Sequence, residues 1–240
     1  MKKLLVVVVA LMGLMGTMQA EGMGHMKQGM SGGKKMPKNY RMVPFAKAQI
    51  LQEGSTKIYC PKCGMTLPMF YRTNHAAKVD GQTEQFCSMY CLIEEMGSGK
   101  KITDVQVVDN TTLKFIPVDK AYYVVGSSKP ATMAKKVSKY AFGTEQAAKE
   151  FAAKFGGQVM RYADALTLAK KDHESDTAAK KMRQAKAAKK GEMIYKKKCQ
   201  PTDKKFATAA EAKAFVKANT LCGDLKGKPL QAVGLYLKSR

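Results

Sequence analysis

At 240 residues with 45% apolar side chains, the chain is long enough to bury one large core or two to three small ones. Its 42 Lys and Arg against 19 Asp and Glu leave a formal charge of +23, a field that favours an acidic protein face or an anionic membrane surface. There is no Trp, no Gly-x-Gly-x-x-Gly, no Walker loop and no Ser/His/Asp spacing, which speaks against nucleotide-using and hydrolytic enzymes, and no catalytic residue is expected.

Met1 to Ala20 has Lys2 and Lys3, an uncharged apolar run and small residues at its end, the layout of a secretory signal peptide cleaved after Ala20. The alternative is an uncleaved membrane anchor. No cysteine precedes Cys60, so a lipoprotein is not expected, and an exported bacterial protein of this kind is periplasmic. Nucleic acid is then excluded as a partner. That compartment is oxidising, so every cysteine pair has a disulfide as its alternative. Residues 21–54 form a Met- and His-containing flexible arm followed by an apolar strap over Arg41 to Leu51. Met23, His25, Met26, Met30 and Met36 in the arm suit weak capture of copper, because thioether and imidazole favour Cu(I) over hard cations; a plain solvated linker is the alternative.

The chemistry concentrates between Tyr59 and Cys91, which holds four of the six cysteines. In Cys60-Pro61-Lys62-Cys63 the proline presets a turn that brings two thiols together. Cys63-Gly64-Met65 follows, and an extended strand here would turn Cys63 and Met65 to the same side, since alternate residues of a strand share a face. Cu(I) accepts two or three soft ligands, whereas structural Zn(II) takes four donors and makes little use of thioether. Cys63 and Met65 are therefore the primary candidate ligands. Ser88 as N-cap and Gly97 as stop define a short helix with Cys91 in its first turn and Cys87 just before it, where thiolate is favoured.

Cys60, Cys87, Cys91, Met69, Met89 and His75 are secondary candidates, His75 fitting a loop beside Asn74. The same residues allow a four-cysteine Zn(II) knuckle, two structural disulfides, or a thiol redox protein. The redox reading lacks a strand-helix context after Cys63.

Cys-Pro-x-Cys-Gly-Met-Thr-Leu, Met69-Phe70-Tyr71, Phe86-Cys87-Ser88, Asp104-Val105-x-Val107-Val108-Asp109, Ala121 to Ser127 and Ser138 to Phe142 together resemble the NosL family over about residues 57 to 168. The resemblance implies a copper chaperone serving maturation of nitrous-oxide reductase, with Cu(I) on Cys63 and Met65. The missing lipidation cysteine and the lysine-rich extension depart from that pattern.

Independently, the region reads as two strand-strand-helix-strand units, giving an α+β fold. The first, within 55–117, has strands near Thr66 to Arg72, Gln82 to Cys87 and Thr103 to Asp109 around the helix Ser88 to Met96. The second, within 118–168, has Ala121 to Gly126, Ser138 to Phe142, a helix from Glu145 to Phe155 capped by Thr144, and Gln158 to Tyr162. Ala148, Phe151, Ala152 and Phe155 in that helix share one face. Only the first unit carries cysteines.

Residues 169–190 are a Lys-rich linker or solvated helix, and 191–240 a small all-α module. Thr208-x-x-Glu211 is a capping box for a helix to about Ala218, and Pro229 opens another. Gly191-x-x-x-Tyr195-x-x-x-Cys199 and Leu230 to Leu237 resemble the terminal helices of a class I cytochrome c, but Cys-x-x-Cys-His is absent and no haem is expected. Cys199 and Cys222 are a disulfide candidate, a cross-link contributing about 2 to 4 kcal/mol.

The sequence thus points to an exported Cu(I) metallochaperone whose partner is a cuproenzyme such as nitrous-oxide reductase, or its copper-assembly transporter. The alternative is a structural Zn(II) module.

Overall fold

The computed structural model describes residues 39–133 and 137–240. The leader expected over Met1 to Ala20, and Met23, His25, Met26, Met30 and Met36, lie outside the described residues. The remainder is a mixed α and β structure with two antiparallel sheets and a C-terminal helical region.

The first sheet has the order β2-β1-β3-β4, built from β1 (His75–Val79), β2 (Gln82–Phe86), β3 (Ile102–Val108) and β4 (Phe115–Pro117). Helix α1 (Met89–Met96) leaves β2 through Ser88 and ends on Gly97. The first strand is not where the sequence places it. Leu67–Thr73 forms 3₁₀ turns instead, because Pro68 sits at the start with a fixed φ and no N–H to give a ladder. Pairing of β1 with β2 and β3 therefore begins at His75, which lies in a strand and not in a loop.

The second sheet, β6-β5-β7, uses β5 (Tyr122–Val125), β6 (Lys139–Phe142) and β7 (Gln158–Arg161), with helix α2 (Glu145–Phe155) between the last two. The Thr144 side chain accepts from the Ala147 N–H, and Ala148 and Phe151 are buried as the periodicity predicts. A bridge between Asp109 and Ala141 joins the sheets, and the Asn110 side chain also donates to the Ala141 carbonyl. The strap is fastened to the first sheet: Val43 is buried with Tyr71 and Val108, and Leu51 N–H donates to the Gln85 side chain.

Helix α3 (Tyr162–Lys198) runs for 37 residues, about 55 Å, across the stretches read in the sequence as second unit, linker and module. Gly191 is not a helix start. It lies inside α3 where α5 (Gly227–Ser239) crosses so closely that a Cβ there would stand 2.0 Å from the Ala232 carbonyl oxygen. Only glycine permits that approach, which outweighs its helix cost of about 1 kcal/mol. Helix α4 (Ala209–Ala218) starts as the capping box predicts, with Thr208 Oγ1 accepting from Glu211 N–H and the Glu211 carboxylate accepting from Ala207 N–H. The Cys199–Cys222 disulfide is present and ties the end of α3 to the loop after α4. Among the described residues no helix is long and apolar enough to cross a membrane.

Candidate metal centre

Cys60 and Cys63 sit on a tight turn that is not a strand. The Gly64 N–H donates to the Cys60 carbonyl at 2.8 Å, the Cys60 N–H donates to the Met65 carbonyl at 2.8 Å, and Gly64 has φ +72. This left-handed glycine curls the backbone into a knuckle and removes the alternation that was to place Cys63 and Met65 on one face. Cys87 follows β2 and Cys91 lies in the first turn of α1, so one strand-to-helix junction delivers the second pair. The thiol atoms of Cys60, Cys63, Cys87 and Cys91 all lie within 4.8 Å of one another, and all four residues are buried and unbridged.

The sulfur lattice is tight. Cys63 Sγ is 3.5 Å from Cys87 Sγ, which is 3.7 Å from Cys91 Sγ. Burial works to raise the Cys60 thiol, but hydrogen bonds from the Cys63, Cys87 and Cys91 thiols hold it well below its ordinary value. The same bonds to Cys60 push Cys87 and Cys91 well above theirs. The four thiols are thus electrostatically coupled, as groups that share one site must be. Four sulfurs at such spacing match a closed tetrathiolate for a d10 ion, and any three of them match trigonal Cu(I).

The other predicted ligands separate into two groups. Met65 packs against the apolar cluster that includes the four cysteines, and with Met69 it lines an apolar groove of about 800 Å³ shared with Arg41, Phe70, Ile194 and Pro229. Met89 is buried in the second core beside Ile93, Val107 and Tyr123, where it fills space between α1 and the sheets. His75 is fully buried and occupied: one ring nitrogen, Nδ1, meets the Thr73 carbonyl at 3.1 Å, and Nε2 meets the Tyr123 hydroxyl at 3.1 Å. The carbonyl can only accept, so Nδ1 carries the proton and Nε2 accepts from Tyr123. Burial lowers this histidine to about 4, and it stays outside the thiol group.

Two residues escaped the sequence reading because they lie far along the chain. Lys213 Nζ donates to the Gly64 carbonyl at 2.6 Å, and Gln231 Nε2 donates to the Cys63 carbonyl at 2.8 Å. Burial pulls the Lys213 ammonium down to about 7, opposed by the charges of Cys63 and Cys60. The signal was present in α4: Ala209, Ala212, Lys213 and Val216 share its apolar stripe, where a lysine is out of pattern. On the α1 side, Glu95 is buried and held below the usual carboxylate range, its burial outweighed by ion pairs with Lys62 of the knuckle at 2.7 Å and Lys100 at 3.2 Å.

Residues 52–167 match the NosL family model. The match contains all four cysteines and Met65 and stops just inside α3, leaving Lys213 and Gln231 beyond it. No curated protein matches the chain. Among solved structures, the crystal structure of the copper chaperone NosL from Shewanella denitrificans is 20% identical over 48% of this chain and 95% of that one, with a TM-score of 0.36.

Proposed function

We propose that the protein is a copper-binding metallochaperone that holds Cu(I) on thiolates of the Cys60, Cys63, Cys87 and Cys91 cluster and releases it by ligand exchange past Met65. The observation that carries this reading is the buried four-thiol group within 4.8 Å with a thioether packed beside it. Soft sulfur selects Cu(I), and an ion that needs only two or three ligands can change partners without leaving sulfur. Met65 links this interior to the groove it shares with Met69, which gives exchange a route that the buried thiols lack. The NosL match covers these residues, and the resemblance implies a cuproenzyme recipient, nitrous-oxide reductase, or its copper-assembly transporter. The leader-like Met1 to Ala20 adds export to the periplasm, and the charge of +23 an acidic partner face or anionic membrane surface.

One observation favours a second reading. Four buried cysteines closing on one point also describe structural Zn(II). Anaerobic, reduced protein should be loaded in turn with Cu(I) and Zn(II) and challenged with chromophoric chelators of each. Tight Cu(I) retention with Zn(II) displaced by Cu(I) is expected. Tight zinc that Cu(I) does not displace overturns the chaperone reading in favour of the zinc module.

A further inference from the structure

The knuckle is covered by helices that the NosL match does not reach. The N-terminal end of α4 rests on it directly: a Cβ on Gly64 would stand 2.8 Å from Ala209 Cβ and 3.1 Å from the Ala209 carbonyl carbon. Behind that contact, the Lys213 ammonium has an acceptor for each of its three protons, the Gly64 carbonyl at 2.6 Å, Gln231 Oε1 at 2.9 Å and Thr66 Oγ1 at 3.3 Å. Its Nζ also lies 4.1 Å over the Tyr59 ring. Gln231 closes the loop by donating to the Cys63 carbonyl. The stem of Lys213 reaches this place through a gap left by Gly234, where a Cβ would stand 2.5 Å from Lys213 Cγ.

Lys213 is only 1% exposed, and among the described residues no carboxylate is paired with it. A buried cation held by neutral acceptors is costly unless negative charge stands near. Four thiolates carrying a monovalent or divalent ion retain net negative charge, and the knuckle carbonyls bring Lys213 beside them. The cover is also anchored on both sides of the site. Cys199–Cys222 and the Gly191–Ala232 crossing join it to α3, and α3 is pinned to α1, which carries Cys91, by Lys180 with Glu94 and by the Tyr90–Thr177 hydroxyl pair at 2.7 Å.

We infer that the C-terminal helices form a fitted lid on the metal knuckle, in which Lys213 and Gln231 are positioning residues that hold the Cys63 and Gly64 carbonyls and retard both thiol exposure and ion release. The Met65 groove, lined on one side by Gly227, Pro229 and Gln231 of α5, is then the exit. This rests on the metal-binding reading, and the test keeps the two apart. Full-length wild type, Lys213→Met and Gln231→Leu are compared by two rates: iodoacetamide labelling of Cys60 and Cys63 in the reduced, metal-free protein, read by mass spectrometry, and transfer of Cu(I) to a chromophoric chelator. The expected result is labelling and transfer each faster by roughly tenfold in Lys213→Met, with a smaller increase in Gln231→Leu and unchanged ion stoichiometry. If Lys213→Met does not fold, as judged by circular dichroism, Gln231→Leu alone decides. Folded variants with wild-type labelling rates overturn the lid. Wild type that takes up no Cu(I) overturns the metal reading, while the labelling comparison still decides the lid.

Discussion

Cys63 and Cys87 face each other with their sulfurs 3.5 Å apart and unbonded, brought together from 24 positions apart by the knuckle and the β2–α1 junction. Two thiols this close and this buried are set either to share an ion or to oxidise. In reduced, metal-free protein exposed to a mild oxidant, loss of free thiols in pairs is expected, whereas protein loaded with one ion should retain all four. Replacing Cys87 by Ser leaves three thiols, which still suit trigonal Cu(I) but not a closed tetrathiolate, so chelator competition should show Zn(II) binding weakened more than Cu(I) binding. Oxidation that proceeds equally fast with and without bound ion would count against a common site.

Met65→Leu separates the two metals. Leucine keeps the apolar contact with the cysteine cluster and deletes only the thioether, so fold stability should change by less than about 1.5 kcal/mol. Cu(I) transfer to a chelator should slow, because exchange loses its sulfur stepping stone, while Zn(II) affinity stays the same. Unchanged Cu(I) transfer kinetics would remove Met65 from the exchange route.

Much of this architecture was legible in the sequence. Thr144 and the Ala148–Phe151 spacing located α2, and Thr208 and Glu211 located α4, because caps and periodicity are local signals; Ser88 and Gly97 bracket α1 although the Ser88 side chain makes no capping hydrogen bond. The knuckle was not, because its shape depends on Gly64 taking φ +72, a conformation the tripeptide permits but does not announce. Pro68 breaks the extended pattern into turns, so strand pairing begins only at His75. The lid was invisible for another reason: Lys213 meets Gly64 across 149 positions, and only the out-of-pattern lysine on an apolar stripe hinted at it.

Gly64→Ala tests the knuckle itself. Left-handed backbone costs an alanine about 1 to 2 kcal/mol, and the added methyl would collide with Ala209 at 2.8 Å, so the total loss in a urea unfolding curve should exceed the backbone cost alone. Gly64→Ala combined with Ala209→Gly should recover part of the steric loss, since the methyl contact at 2.8 Å goes while the α4 backbone stays 3.1 Å away. No recovery in the double variant would show that α4 does not press on the knuckle.

The pH dependence of stability should carry the signature of His75. Its folded value of about 4 lies below the ordinary 6.5, since burial disfavours the charged ring and outweighs the hydrogen bond to the Thr73 carbonyl, which works to raise it. Between pH 6.5 and 4 the unfolded chain therefore binds a proton that the native state does not. Stability must fall as pH drops through 6.5 and this contribution must level off below about 4, a total of about 3 kcal/mol. The sign is opposite to that of a histidine with a carboxylate partner, which would gain stability on acidification. Urea unfolding of wild type and His75→Asn at pH 7.5, 5.5 and 4.5 isolates the term, because the amide keeps a donor and an acceptor but does not titrate in this range. The variant should be less stable at pH 7.5 yet show a shallower decline toward pH 4.5. Parallel declines in the two proteins would assign the acid sensitivity elsewhere, with the buried Glu95 and Asp109 carboxylates, both held below their usual range, the next groups to substitute.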